Sequence, residues 1–341
     1  MVRLSADNLS VAYRTKDDDV KAVDRVSFDV ESDEIFGAVG ESGCGKSTLA
    51  NTFLQLLDDN GEITSGSITY EGRNLTKLTE RELADEVRGN KISMVFQDPN
   101  TSLDPVYTIG QQLIETIRRH LDVSKNEARE RAIQALDDVG IPSPEERLDD
   151  YPHQFSGGMR QRAVIAIALS CNPGLLIADE PTTGLDVSIQ AQILDLLKRI
   201  NDEKDTAIIL ITHDLGVVAE ICDRVGVMYA GNMVEIGDVE PIFDDPKHPY
   251  TQALLRSLPK AHSIKEELEI IEGNPPDLKN PPTGCKYAPR CNQLCCGACE
   301  ENDIPPMYQE GTDVRCYIYD VNKNSKYDGE TQIASEPEVK R

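Results

Sequence analysis

Apolar and polar residues alternate along 2–13 (VRLSADNLSVAY) and 21–30 (KAVDRVSFDV), and the alternation returns at 66–75 (GSITYEGRNL). This period of two predicts strands with one buried face. Between them, 34–57 (EIFGAVGESGCGKSTLANTFLQLL) reads as a buried strand, a glycine loop and a helix. From about 100 to 170 the spacing of apolar positions changes to three and four, predicting helices over 109–121, 125–140 and 157–171. Buried strands are expected again at 175–180 (LLIADE), 207–213 (AIILITH) and 225–237 (VGVMYAGNMVEIG), separated by helices at 188–202 and 215–223. Strands alternating with helices imply an α/β fold whose parallel sheet is covered on both faces. No internal repeat of the solenoid kind is present.

After HPYTQALLRSLP (248–259) the texture changes. Residues 270–320 are rich in Pro, Gly and Cys, and 321–341 have so little to bury that disorder is expected. A length of 341 residues suits two domains, one of roughly 250 residues and an appendage. The 39% hydrophobic content suffices for a core. The longest apolar runs, 163–169 and 207–211, fall short of the roughly 18–20 residues that cross a bilayer, and the first residues do not read as a signal peptide. A cytoplasmic chain is expected, with membrane contact only through a partner. The formal net charge of −25 argues against nucleic acid and anionic lipid. Its carboxylates are spread along the chain rather than gathered in a tail, which suits a halophilic, salt-rich cytoplasm where screening is strong.

The glycine loop carries the first chemistry. Gly40, Glu41, Ser42, Gly43, Cys44, Gly45, Lys46, Ser47 and Thr48 form a complete P-loop, with a strand before it and a helix after. Backbone N–H groups would curl round the phosphates, helped by the helix N-terminus. Lys46 would add a point charge and Ser47 a hydroxyl ligand for Mg²⁺. A second apolar strand ends in Asp179 and Glu180. Alone the pair would read as a helix-capping cluster. Beside a P-loop it predicts Asp179 at the metal and Glu180 polarising the attacking water, hence nucleotide hydrolysis.

With these motifs in place, FSGGMRQR (155–162) resembles the signature motif of the ATP-binding subunits of ABC transporters, and the resemblance spans essentially the whole chain. It implies a P-loop NTPase ABC cassette over 1–258, with a parallel core sheet, an antiparallel β-subdomain and a helical signature subdomain at about 98–170. It also implies Tyr13 as the aromatic that stacks on adenine, Gln97 as the Q-loop residue at the metal, Asp186 as the end of the D-loop and His213 as the switch histidine. Ser156, Gly157 and Gly158 would close the ATP site of a facing subunit, so that ATP joins two subunits and hydrolysis releases them. Met159 and Gly184 depart from the commonest family residues without changing a charged or catalytic group. Cys171 and Cys222 read as small core residues.

FQDPNTSLDPVYTIGQQL (96–113) and DDPKHPYTQALLRSLP (244–259) look like a narrower branch, the ATPases of dipeptide and oligopeptide importers, which includes some nickel and oligosaccharide systems. That implies a second ATPase subunit, a related chain or a second copy, two transmembrane permease subunits, an extracellular solute-binding protein acting indirectly, and a peripheral position on the cytoplasmic face of the membrane. A soluble non-transport ABC ATPase is the rival; the chain has one cassette and no basic stripe. The branch carries a Cys-rich C-terminal extension, here 259–320, whose pattern maps onto Cys285, Cys291, Cys299 and Cys316. Its third spacing is one residue longer than in the branch, and Cys295 and Cys296 are additional. Four thiolates suit a [4Fe–4S] cluster or tetrahedral zinc, and irregular spacing favours the cluster. Reduced thiols without metal are the third reading.

Overall fold

The computed structural model describes residues 1–16, 18–257, 271–293, 297–301 and 303–320, the side chains of Asn100, Ala298 and Glu301 excepted. The expected disordered tail and two of the cysteines, Cys295 and Cys296, lie outside the described residues. Two sheets organise the chain. Strands β1 (Val2–Tyr13) and β2 (Val20–Glu31) pair antiparallel. They are followed by the apolar β3 (Ile35–Val39), the helix α1 (Lys46–Phe53), and then β4 (Gly61–Tyr70) and β5 (Arg73–Asn74). The first sheet is antiparallel throughout, in the order β2-β1-β4-β5. Its inner face, including Leu4, Leu9, Val26 and Ile68, is fully buried.

The remaining strands are β6 (Ile92–Val95), β7 (Leu175–Asp179), β8 (Ala207–Thr212), β9 (Arg224–Tyr229), β10 (Asn232–Asp238) and the short β11 (Tyr308–Gln309) and β12 (Asp313–Val314). With β3 they form one sheet in the order β11-β12-β10-β9-β3-β8-β7-β6. The run from β9 to β6 is parallel, and every residue of β3, β7 and β8 is buried, as a sheet covered on both faces demands. Phe28 joins the two sheets, stacking on Phe36 at 4.6 Å between ring centroids and meeting Phe53 of α1 edge-on at 6.0 Å.

Between β6 and β7 the chain turns helical: α2 (Ile109–His120), α3 (Lys125–Asp138) and α4 (Gly157–Leu169) pack together over residues such as Leu113, Ile117, Ala132, Leu136 and Ile165. Thr108 opens α2 with a reciprocal capping box to Gln111, and Ser124 caps α3 through the Glu127 N–H. Later helices are α5 (Val187–Lys204), α6 (Leu215–Ile221), α7 (Val239–Asp244) and α8 (Pro249–Arg256).

Two expected strands are broken by turns. The stretch 225–237 is a hairpin, because Ala230 and Gly231 both take positive φ (46° and 84°), and Glu71 and Gly72 (46° and 80°) do the same after β4. Two consecutive left-handed residues make the type I′ loop that matches strand twist, a feature apolar periodicity does not reveal.

The C-terminal segment is attached to the core at several points. β12 adds to the edge of the main sheet through Glu235↔Val314. Lys286, almost fully buried, pairs with Asp24 at 3.0 Å and donates to Ala230 O, and Arg25 forms a two-pronged pair with Asp303 at 2.9 and 2.7 Å. The buried Glu235 carboxylate accepts from the N–H groups of Lys247 and His248 and from the Thr312 hydroxyl, tying β10, the start of α8 and the C-terminal strands together.

Candidate nucleotide site

Neighbouring strands β3, β8, β7 and β6 run parallel, so their C-terminal ends share one edge of the sheet. The segments leaving that edge carry residues 40–48, His213, Asp179 with Glu180, and Gln97. In open α/β sheets this edge is where ligands bind.

The loop 40–48 needs its glycines. A Cβ on Gly40 would lie 2.1 Å from the Met228 carbonyl, and one on Gly45, whose φ is +105°, would lie 2.1 Å from the Ala22 carbonyl. Gly45 caps α1 without a side-chain bond, which leaves the first N–H groups of the helix for an anion. Lys46, 6% exposed, donates from Nζ to Gly40 O at 2.7 Å and Glu41 O at 3.0 Å. Thr48 lies within α1, its carbonyl accepting from the Thr52 hydroxyl at 2.6 Å. Burial pushes the Cys44 thiol up, so it stays protonated and the residue serves through its backbone: Cys44 O accepts from Gly231 N–H at 2.8 Å.

Asp179, at the end of β7, is 5% exposed, and its Oδ1 has no hydrogen-bond partner. Burial raises its pKa, a hydrogen bond from Ser47 opposes that, the Glu180 charge adds to it, and Lys46 opposes it. A buried carboxylate oxygen beside a serine hydroxyl, with no hydrogen-bond partner of its own, has the chemistry of a hard-cation ligand, so the residues fit Mg²⁺.

Glu180 is gripped from three sides. Gln97 Nε2 donates to Oε2 at 2.9 Å, Thr183 Oγ1 donates to the same oxygen at 2.9 Å, and His213 Nδ1 meets Oε1 at 3.1 Å. Burial alone would raise this carboxyl; the bonds from His213 and Thr183 and the Lys46 charge outweigh it and hold the group below its usual range, ionised. Its backbone sits at φ +47°, a strained position for a non-glycine residue, fixed by its N–H to Ile211 O at 2.9 Å. Gln97 uses its amide nitrogen here, which leaves its carbonyl oxygen as the atom it can offer a metal. Thr183 had no assigned role in the sequence; its spacing of three from Glu180 across a turn was the available signal.

The other expected residues lie apart. Ser156 caps α4, accepting from Met159 N–H at 3.3 Å, and the space where a Gly157 side chain would stand is open. α4 packs on α2, α3 and β6, whereas α1 packs on β2, β7 and β8. Asp186 caps α5 through Ile189 N–H at 3.0 Å, next to Val187, an apolar side chain left 84% exposed. Tyr13 ends β1 half-buried, its ring against Gly61.

In the C-terminal segment, Cys285 N–H donates to Cys299 O at 2.8 Å, and Cys285 and Cys299 pack with Ala288 and Tyr317. None of the seven described cysteines is in a disulfide. Burial raises Cys285 to about 11 and Cys316 to about 12, and the neighbouring cysteines oppose the ionisation of each. Among the described residues, no group of three or more His, Cys, Asp or Glu is arranged to hold a metal ion, so the iron–sulfur expectation gains no support from the geometry. Also among the described residues, no helix is long and apolar enough to cross a membrane.

The sequence model of the ABC transporter family matches residues 23–183, and that of the oligopeptide/dipeptide transporter C-terminal region matches residues 234–297. The chain is 53% identical over 289 residues to the dipeptide transport ATP-binding protein DppD of Bacillus subtilis, covering 84% of this chain and 86% of that one. It is 48% identical over 309 residues to the oligopeptide transport ATP-binding protein OppD of Salmonella typhimurium, covering 90% of each. A solved dimeric ATP-binding cassette, in a post-hydrolysis state bound to ADP and Pi, superposes with a TM-score of 0.62 at 27% identity, over 69% of this chain and 98% of that one.

Proposed function

Because the chain belongs to the ABC transporter family, in the branch of dipeptide and oligopeptide transport ATP-binding proteins, we propose that it hydrolyses ATP to drive peptide import. The observation that carries this reading is the convergence of Gln97, Thr183 and His213 on an ionised Glu180 beside Lys46, Ser47 and the unpartnered Asp179. Lys46 and the N–H groups of residues 43–48 neutralise and orient the triphosphate. Glu180 takes the proton of the attacking water, and His213 fixes that carboxylate and faces the γ-phosphate. Ser47, Gln97 and Asp179 would hold Mg²⁺, which supplies charge neutralisation at the phosphates. Tyr13 is assigned to the adenine.

Ser156, Gly157 and Gly158, with the D-loop ending at Asp186, serve the nucleotide of a facing ATPase subunit, a related chain or a second copy. The exposed Val187 beside Asp186 supports a partner there. A groove of about 540 Å³ between the core and the helical subdomain, lined by Leu54, Leu56, Phe96, Val164 and Ile167, suits an apolar element of a permease and supports a peripheral position on the cytoplasmic face of the membrane. In the segment 259–320, Cys285, Cys291, Cys299 and Cys316 are proposed as the thiolates of a [4Fe–4S] cluster. What supports this is the soft-ligand chemistry of four cysteines in the pattern of the branch. Iron and acid-labile sulfide near four per chain, on protein purified without oxygen, bears it out; zinc or no metal assigns them otherwise.

Vesicles carrying the assembled transporter test the main reading. Labelled di- and oligopeptides should accumulate only with ATP, and not with Lys46→Ala. ATP-driven uptake of nickel or an oligosaccharide in place of peptide would overturn the substrate class.

A further inference from the structure

The C-terminal segment reaches the nucleotide loop directly. Arg290, one residue before Cys291 and 5% exposed at its side chain, donates from Nη1 and Nη2 to the two carboxylate oxygens of Glu41 at 2.9 and 3.2 Å, across 249 positions of sequence. Its other donors are placed as well: Nη1 to the Tyr229 hydroxyl at 3.2 Å, Nε to Glu272 O at 3.0 Å and Nη2 to Ile271 O at 3.3 Å. All five N–H groups of the guanidinium are therefore used, the geometry of a fixed strut rather than a mobile surface arginine. Glu41 is held at its other end too, its backbone N–H donating to the Tyr250 hydroxyl at 3.1 Å. Tyr229, Tyr250 and Tyr287 pack ring to ring at 4.5–5.4 Å behind this contact.

Glu41 is the one acidic residue in the loop 40–48, and the adjacent Gly40 and Glu41 carbonyls hold Lys46. An unpaired carboxylate there would repel the phosphates and leave the mouth of the loop unfixed. We infer that Arg290 is a positioning residue for ATP binding: it neutralises Glu41 and fixes the P-loop entrance, so that the C-terminal segment sets the affinity of the nucleotide site. The inference rests on the reading of 40–48 as the nucleotide cradle.

Equilibrium binding of a fluorescent ATP analogue with Mg²⁺ to the full chain separates the possibilities. Arg290→Gln should raise Kd about tenfold, the effect of one uncompensated charge near the phosphates. Adding Glu41→Gln to that variant should recover most of the loss, because the repelling charge has gone, whereas a merely structural arginine would give a double variant at least as weak as the single. Arg290→Lys keeps the charge and loses the fork, and should raise Kd by a smaller factor, roughly threefold; it also serves if Arg290→Gln does not fold. Parental affinity in Arg290→Gln and Arg290→Lys, or no recovery in the double variant, overturns the inference. A parent chain that binds no ATP would remove the cradle reading itself, and this inference with it.

Discussion

Asp179→Asn should stabilise the chain without nucleotide and remove the stabilisation that nucleotide brings. Asp179 is 5% exposed, Oδ1 has no partner, and its charge lies next to that of Glu180. A buried acceptor left unsatisfied costs about 1–3 kcal/mol. Asparagine keeps an oxygen for the Ser47 hydroxyl and removes the charge, but it puts an unpaired N–H₂ in the same place, so the net gain is about 1 kcal/mol. For a large domain that raises Tm by about 2 °C.

The sign with pH follows from the raised native pKa of Asp179. The charge penalty in the parent is complete above that value and fades as pH falls towards the ordinary carboxylate value near 3.9, so the advantage of asparagine fades with it. Mg²⁺–ATP at about a hundred times Kd should stabilise the parent by about 2.7 kcal/mol, or roughly 5 °C, and the variant by much less. Thermal unfolding with and without Mg²⁺–ATP reads both effects. A variant that melts below the parent without nucleotide, or that gains as much from Mg²⁺–ATP, would refute the assignment of Asp179 as a metal ligand.

Lys46→Ala removes two bonds at 2.7 and 3.0 Å and the main positive charge of the loop. ATP affinity should fall by about 10–100-fold in equilibrium binding, and retained affinity would contradict the cradle. At the C-terminal segment, bonds from Arg25 and from Ile304 N–H hold Asp303 down at about 2. The pair therefore contributes fully above the ordinary carboxylate value and is lost as pH falls through about 2. Asp303→Asn should accelerate hydrogen exchange in β11 and β12 at neutral pH and flatten its acid dependence; unchanged exchange would show that the pair does not secure the segment.

The P-loop was legible because it is local: strand, glycines, lysine and helix follow one another within fifteen residues or so, and each has one physical purpose. Glu180 was legible as a candidate from its place after an apolar strand, and Gln97 and His213 from the resemblance to the ATP-binding subunits of ABC transporters. Their meeting was not, because it depends on β6, β7 and β8 being neighbours in one parallel sheet, and strand order leaves no trace in periodicity. The Ala230–Gly231 turn was hidden inside 225–237, where apolar residues continue on both sides of it. The contact of Arg290 with Glu41 was the least legible, since a single arginine among prolines and cysteines carries no pattern that names an acid 249 positions away.

Glu180→Gln tests the central claim most directly. In membranes carrying the assembled transporter, phosphate release should fall at least about a hundredfold, the usual contribution of a general base, while ATP affinity stays at the parental value. Phosphate release at the parental rate would mean that the carboxylate on which Gln97, Thr183 and His213 converge is not the base of this ATPase.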